Sequence, residues 1–355
     1  MQDHLSLLPP KKDIETLAVH KKLILAHRSL AELKGVLATI PNQDILISTL
    51  SLQEGKESSS IENIVTTNDD IYQSEYETGQ FTTLEAKEVH KYAHALRVGF
   101  SSVRETGLLT CRSIQQIHTI IESVKTGYRK LPGTVISNHH TGEVVYTPPQ
   151  SYDVIVELMT NLEKFINNNE FCDLDPLTKM AIIHHQFESI HPFYDGNGRT
   201  GRIINILYLI QQGLLDYPIL YLSSYINQHR SEYYRLLAKV NREDEWQEWI
   251  LFMLDAVEKV SLQTINLIQK IQKLMLDYEM RIKKDEPKMY RADLVKSLFF
   301  HPYTKIDFVE KGLGVSRVTA TKYLNALVSI GLIQKIKTKS GYYFVNTDLL
   351  SLFNR

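Results

Sequence analysis

A mainly helical protein, interrupted by one β-hairpin and ending in a small winged helix-turn-helix domain, is what this 355-residue sequence predicts. Three observations carry that reading. Apolar residues recur at helical spacing along most of the chain. One segment alone, Gly133 to Pro149, is β-rich around a Thr-Gly pair, with Gly before it and Pro-Pro at its end. The C-terminal stretch reads helix, helix, helix, strand, strand, and is basic.

Taken in order, the first helix is written by Ile14, Leu17, Leu23, Leu30, Leu33 and Leu37, and further helices follow around 84–104, 112–124, 151–167 and 176–190. The hairpin of 133–147 falls between the third and fourth of these five segments. A long amphipathic helix spans roughly Asp244 to Lys284 and runs into the polar KKDEPK, which marks a boundary. We expect an N-terminal helical region over 1–110, a core over 111–284 and a separate domain over 289–355. In that last domain RADLVKSLFF, TKIDFVEKG and SRVTATKYLNALVSIG are the helices, and LIQKIKT and GYYFVN the wing strands.

Bulk composition narrows the function classes. The chain is 43% hydrophobic and 23% charged, with no sign of disorder, collagen or a disulfide scaffold. Cys111 and Cys172 lack metal-type spacing, and so few thiols suit a reducing compartment. No apolar run reaches bilayer length and the N-terminus has no apolar leader core, so a cytoplasmic protein without a membrane partner is expected. Net charge is −1, but Met289 to Arg355 carries ten Lys or Arg against four Asp or Glu. That asymmetry points the C-terminal domain at something anionic. Arg317, Lys322, Lys335, Lys337 and Lys339 on its third helix and wing make duplex DNA a candidate partner, with protein docking or homodimer formation left open.

The densest chemistry is His191-Pro-Phe-Tyr-Asp-Gly-Asn-Gly-Arg-Thr-Gly-Arg202. It follows one helix and opens another, which places unpaired N–H groups and a positive dipole end beside glycines that let the backbone close on an anion. Arg199 and Arg202, about one turn apart, suit phosphate oxygens. Asp195 is a hard oxygen donor of the kind a phosphate-bound Mg²⁺ uses, and His191 is a base that titrates near neutrality. A zinc site on His184, His185, His191 and Asp195 is disfavoured, because adjacent histidines on a helix point about 100° apart.

The segment resembles the Fic family signature H-x-F-x-[D/E]-G-N-G-R-x-x-R at His191, Phe193, Asp195, Gly196, Asn197, Gly198, Arg199 and Arg202. The resemblance implies a Fic helical core that transfers AMP from ATP to a Ser, Thr or Tyr hydroxyl of a target protein. His191 would be the base and Asp195 the Mg²⁺ ligand. Gly196, Asn197 and Gly198 would cradle the α- and β-phosphates, Arg199 and Arg202 would take the β/γ end, and Thr200 and Gly201 would complete the nucleotide loop. The hairpin would be a flap whose edge, Val135, Ile136, Ser137 and Asn138, pairs with the target's backbone. Tyr233 and Asn241 would line the adenine pocket, being two helical turns apart. Ser58, Glu62 and Asn63 match the family's inhibitory pattern [S/T]-x-x-x-E-[G/N], which implies that Glu62 reaches Arg202 and takes the place of the γ-phosphate. A DNA-binding regulator with a nucleotide-sensing Fic core, and a Fic enzyme that removes AMP, are the alternatives.

Overall fold

The computed structural model describes residues 5–40, 43–74, 79–124, 127–137, 144–338 and 341–353. Asn138 of the expected flap edge, the Thr141-Gly142 turn and Lys339 lie outside them. The protein is mainly helical, and among the described residues no helix is long and apolar enough to cross a membrane.

Two long helices frame the N-terminal region. α1 (Leu17–Ala38) starts on a Thr16 side-chain cap and lays Val19, Leu23, Ala26, Leu30, Leu33 and Leu37 against α11 (Gln247–Asp285). α2 (Gln43–Ile61) packs on α4 (Leu84–Thr106) and on α9 (Leu222–Gln228), with short α3 (Asn68–Gln73) between α2 and α4 in the chain. α5 (Cys111–Glu122) opens on a Thr110/Ser113 capping box.

β1 (Ile136–Ser137) and β2 (Val144–Tyr146) pair antiparallel, Ile136 opposite Tyr146 and Ser137 opposite Val144, with a register shift between the two pairs. α6 (Tyr152–Asn167) follows. At the centre stand α7 (Pro176–Ile190), capped by Asp175, and α8 (Asn197–Gln211). Every residue of α7 from Leu177 to Ile190 is buried. Trp249 Nε1 of α11 donates to the Ala181 carbonyl (2.8 Å). α10 (Arg230–Glu243) leads into α11.

The C-terminal domain runs α12 (Ala292–Phe300), β3 (Tyr303–Thr304), α13 (Ile306–Leu313), α14 (Arg317–Ser329), β4 (Gln334–Thr338), β5 (Gly341–Val345) and α15 (Thr347–Phe353). Its sheet is antiparallel in the order β3-β5-β4. This order is compatible with the expected winged helix-turn-helix, with β3 and α15 added to the expected elements. Buried side chains from both sides of 284–289 pack together. α11 continues to Asp285, and its buried Tyr278 donates to the Leu332 carbonyl (2.5 Å) and Asn346 Oδ1 (2.9 Å). Tyr303 and Tyr343 also meet α3: Tyr303 donates to Asp69, and Tyr343 to the Gln73 carbonyl at 3.3 Å. On α14, Arg317 pairs with Asp307 and Glu310, so its charge is balanced locally, whereas Lys322, Lys335 and Lys337 are exposed.

Candidate active site

The sequence between α7 and α8 builds the site. α7 ends at His191, which takes the left-handed conformation (φ 48°) with its N–H on the Phe187 carbonyl. Phe193 then turns inward, fully buried, and stacks on His118 with ring centroids 3.7 Å apart. His118 Nε2 lies 3.0 Å from the Asp195 carbonyl. Asn197 closes the loop: its Oδ1 accepts from Phe193 N and its Nδ2 donates to Phe193 O, both at 2.9 Å. Both ends of the Asn197 amide are thus engaged within the loop.

α8 starts at Gly196 (φ 69°) without a side-chain cap, so its first-turn N–H groups keep their capacity to bind an anion. At Gly198 a larger residue would have to push aside the ends of two functional side chains. A Cβ there would come within 2.6 Å of Glu62 Oε1 and 2.8 Å of Arg202 Nη1. Thr200 and Gly201 are buried in the first turns of α8.

Glu62 lies directly after α2, against the start of α8. Its Oε2 accepts from Arg199 Nε (2.7 Å) and its Oε1 from Arg202 Nη2 (2.9 Å). Ser58 accepts twice from Arg202, through Oγ (2.7 Å) and its carbonyl (2.9 Å). Asn63 adopts φ 64°, the left-handed position where a helix ends and where Gly or Asn is favoured. Arg230 fastens that turn to α10 through the Ser60 carbonyl (2.5 Å) and Asn63 Oδ1 (3.2 Å). Ser58, Glu62 and Asn63 therefore meet the loop in three dimensions.

Arg199 carries more acid than the motif foretells. Besides Glu62, its Nη1 donates to Glu88 (2.9 Å) and its Nη2 to Glu122 (2.8 Å). Burial opposes the charge of both arginines, but the carboxylates, Glu62 foremost, outweigh it and raise both pKa values. Glu188, buried beside Arg202, is pushed up to about 7 by desolvation, with Arg202 pulling the other way. Burial of the His191 ring lowers its pKa to about 4, opposed by the Glu188 carbonyl and assisted by Arg129. A neutral imidazole at pH 7 follows, free to accept a proton.

Asp195 is exposed, and its Oδ1 accepts from Gly196 N (2.7 Å). Among the described residues no cluster of three or more His, Cys, Asp or Glu could hold a metal. One exposed carboxylate suits a Mg²⁺ whose remaining ligands are phosphate oxygens and water. Burial lowers the pKa values of His184 and His185 to about 3 and 4, which keeps both rings neutral. Tyr233 is buried with its hydroxyl 2.9 Å from His184 Nε2, and Asn241 Oδ1 accepts from Ser189 (3.0 Å). Both thus reach α7 from α10, Tyr233 at its middle and Asn241 at its last turn. Val135 is exposed on the hairpin, and Ile136 and Ser137 form β1.

His118, Arg129, Glu88, Glu122 and Glu188 belong to this site without having been singled out from sequence. Each draws its role from partners distant in the chain, and none lies in a local pattern that would mark it.

Three family models match the chain. Residues 20–101 match the Fic/DOC family N-terminal model, and 108–209 the Fic/DOC family model. Residues 274–349 match the model described as protein adenylyltransferase SoFic-like, C-terminal domain. Curated relatives named protein adenylyltransferase Fic, from Drosophila erecta and Drosophila melanogaster, are each 33% identical over 114 residues, 32% of this chain. The aligned stretch spans only 21% and 22% of those relatives' lengths. Among solved structures, a Fic family protein from Desulfovibrio desulfuricans G20 superposes with a TM-score of 0.60 at 19% identity, over 95% of this chain and 98% of that one. Fic-1 from C. elegans gives 0.55 at 19% identity, over 71% and 73%. With family matches distributed from residue 20 to residue 349 and the fold shared along nearly its whole length, this chain belongs to the Fic/DOC family.

Proposed function

We propose that this protein transfers AMP from ATP to a hydroxyl side chain of a target protein, and that Glu62 holds it inactive at rest. The observation that carries the reading is the Glu62 carboxylate lying across Arg199 and Arg202 at the uncapped start of α8. An anion site is built there and an internal anion fills it.

In the reaction, the target hydroxyl oxygen attacks the α-phosphorus as His191 takes the hydroxyl proton. The bond from the α-phosphorus to the bridging oxygen breaks, and pyrophosphate leaves with that electron pair. The first-turn N–H groups of α8 and the guanidinium of Arg202 would neutralise the phosphates once Glu62 withdraws. Asp195 would hold Mg²⁺, which when bound screens charge on the leaving phosphates. Backbone pairing of the target to the hairpin edge would bring its hydroxyl over His191.

Incubating the full chain and its Glu62→Gly variant with α-labelled ATP and Mg²⁺, then mapping the label by mass spectrometry, tests this. AMP on a hydroxyl side chain is the expected product. A label that never appears on protein from either form refutes the reading.

A further inference from the structure

Arg129 is fully enclosed, at 1% exposure, and precedes the β1–β2 hairpin. Its backbone N–H donates to the Pro192 carbonyl (2.9 Å) and its Nε to the His191 carbonyl (2.8 Å). Its Nη2 reaches the Pro149 carbonyl, where the hairpin returns, and the Ile190 carbonyl at 3.4 Å. One residue therefore binds three consecutive carbonyls of the catalytic loop and the far root of the hairpin.

The chemistry of this choice is costly. Among the described residues Arg129 has no ion pair, and its Nη1 has no hydrogen-bond partner. Burying a guanidinium without a counter-ion is unfavourable, and a neutral side chain would fill the volume more cheaply. What a neutral side chain cannot supply is a rigid fork whose donors reach carbonyls of two separate segments. One of those carbonyls belongs to His191. Its φ of 48° lies in the left-handed region, which few residues besides Gly, Asn, Asp and His adopt. Tyr146 adds a second link, donating from β2 to the Ser189 carbonyl at 3.1 Å.

We propose that Arg129 is a positioning residue that locks the His191 loop and both roots of the hairpin into one rigid unit. Its role in catalysis rests on the adenylylation reading above, whereas the lock itself does not. Under that reading, a target paired to the hairpin is registered against His191 through this residue, and a misplacement of about 1 Å would lower turnover about a hundredfold. Arg129 also acts on the His191 ring electrostatically, alongside the Glu188 carbonyl, Glu62 and Asp195, which act in the opposite direction.

The test uses the full chain carrying Arg129→Gln or Arg129→Lys, each alone and with Glu62→Gly. Hydrogen exchange should rise at least about tenfold at 144–149 and 189–192 in both, with 177–187 unchanged. His191, followed by imidazole NMR, should titrate higher with Gln, which removes the charge, and near the wild-type value with Lys. In the Glu62→Gly background, kcat for AMP incorporation should fall about a hundredfold, with KM for ATP within about threefold, because Arg129 touches no expected phosphate ligand. If Gln does not fold, Lys keeps the charge, loses the fork and carries the same comparison. Unchanged exchange at both segments in a folded variant overturns the lock. A rise in KM equal to the fall in kcat would make Arg129 a nucleotide ligand instead and also overturn it. If the Glu62→Gly parent transfers no AMP, the adenylylation reading fails while exchange and titration still decide the lock.

Discussion

The carboxylate of Glu62 stands 2.7 Å from Arg199 Nε and, through its other oxygen, 2.9 Å from Arg202 Nη2. Replacing Glu62 with Gly removes the anion that competes with the triphosphate. AMP transfer, including self-modification, should rise at least about tenfold, equivalent to about 1.4 kcal/mol on the barrier. Glu62→Gly combined with Arg202→Ala should lose most of that gain, since the freed guanidinium is then missing. Rates for the wild type and both variants with α-labelled ATP check this, and a silent Glu62→Gly rules out the inhibitory role.

His191→Ala should abolish transfer and leave ATP affinity within about threefold, because the ring acts on the incoming hydroxyl rather than on the phosphates. Paired measurements in the Glu62→Gly background, of labelling rate and of ATP affinity by calorimetry, separate the two effects. Residual transfer near the parent rate would remove His191 from the chemistry.

The acid limb of the pH profile should lie near pH 4, not near the ordinary histidine value of about 6.5, since burial holds His191 at about 4. The sign for stability is fixed by the same shift. Its folded pKa is depressed, so below about 6.5 the unfolded chain binds a proton that the folded chain refuses. Stability is thus lost as pH falls from about 6.5 towards 4. Transfer by Glu62→Gly measured from pH 4 to 8 should be flat above about 5.5; a half-point near 6.5 would contradict a desolvated ring.

Truncation after Lys284 should lower the melting temperature by at least about 5 °C, since a ~2 kcal/mol loss moves a domain of this size by that order. Tyr278 would lose Leu332 and Asn346, and α3 its contacts with Tyr303 and Tyr343. Calorimetry on the full chain and the truncation decides this. Equal melting temperatures would show that the C-terminal domain sits on the core without stabilising it.

Much of this protein was legible in its sequence by local rules. Helical periodicity located α1, α4, α5, α6 and α7, and the Thr-Gly within a β-rich stretch located the hairpin. The His191–Arg202 pattern is contiguous, so its loop-to-helix geometry follows from neighbours in the chain. The Ser58–Asn63 pattern is equally local: Asn63 suits the left-handed end of a helix. What the sequence could not contain is which charges meet. Arg199 gathers Glu62, Glu88 and Glu122 from three different helical regions, and Arg129 reaches His191 across 62 residues. Helical periodicity also located α11, which ends at Asp285, but a polar KKDEPK could not tell that its buried Tyr278 is shared with the C-terminal domain. Periodicity and motif spacing encode interactions a few residues apart, whereas buried charge pairing and helix sharing depend on how whole helices pack. Those were decided only in the tertiary structure.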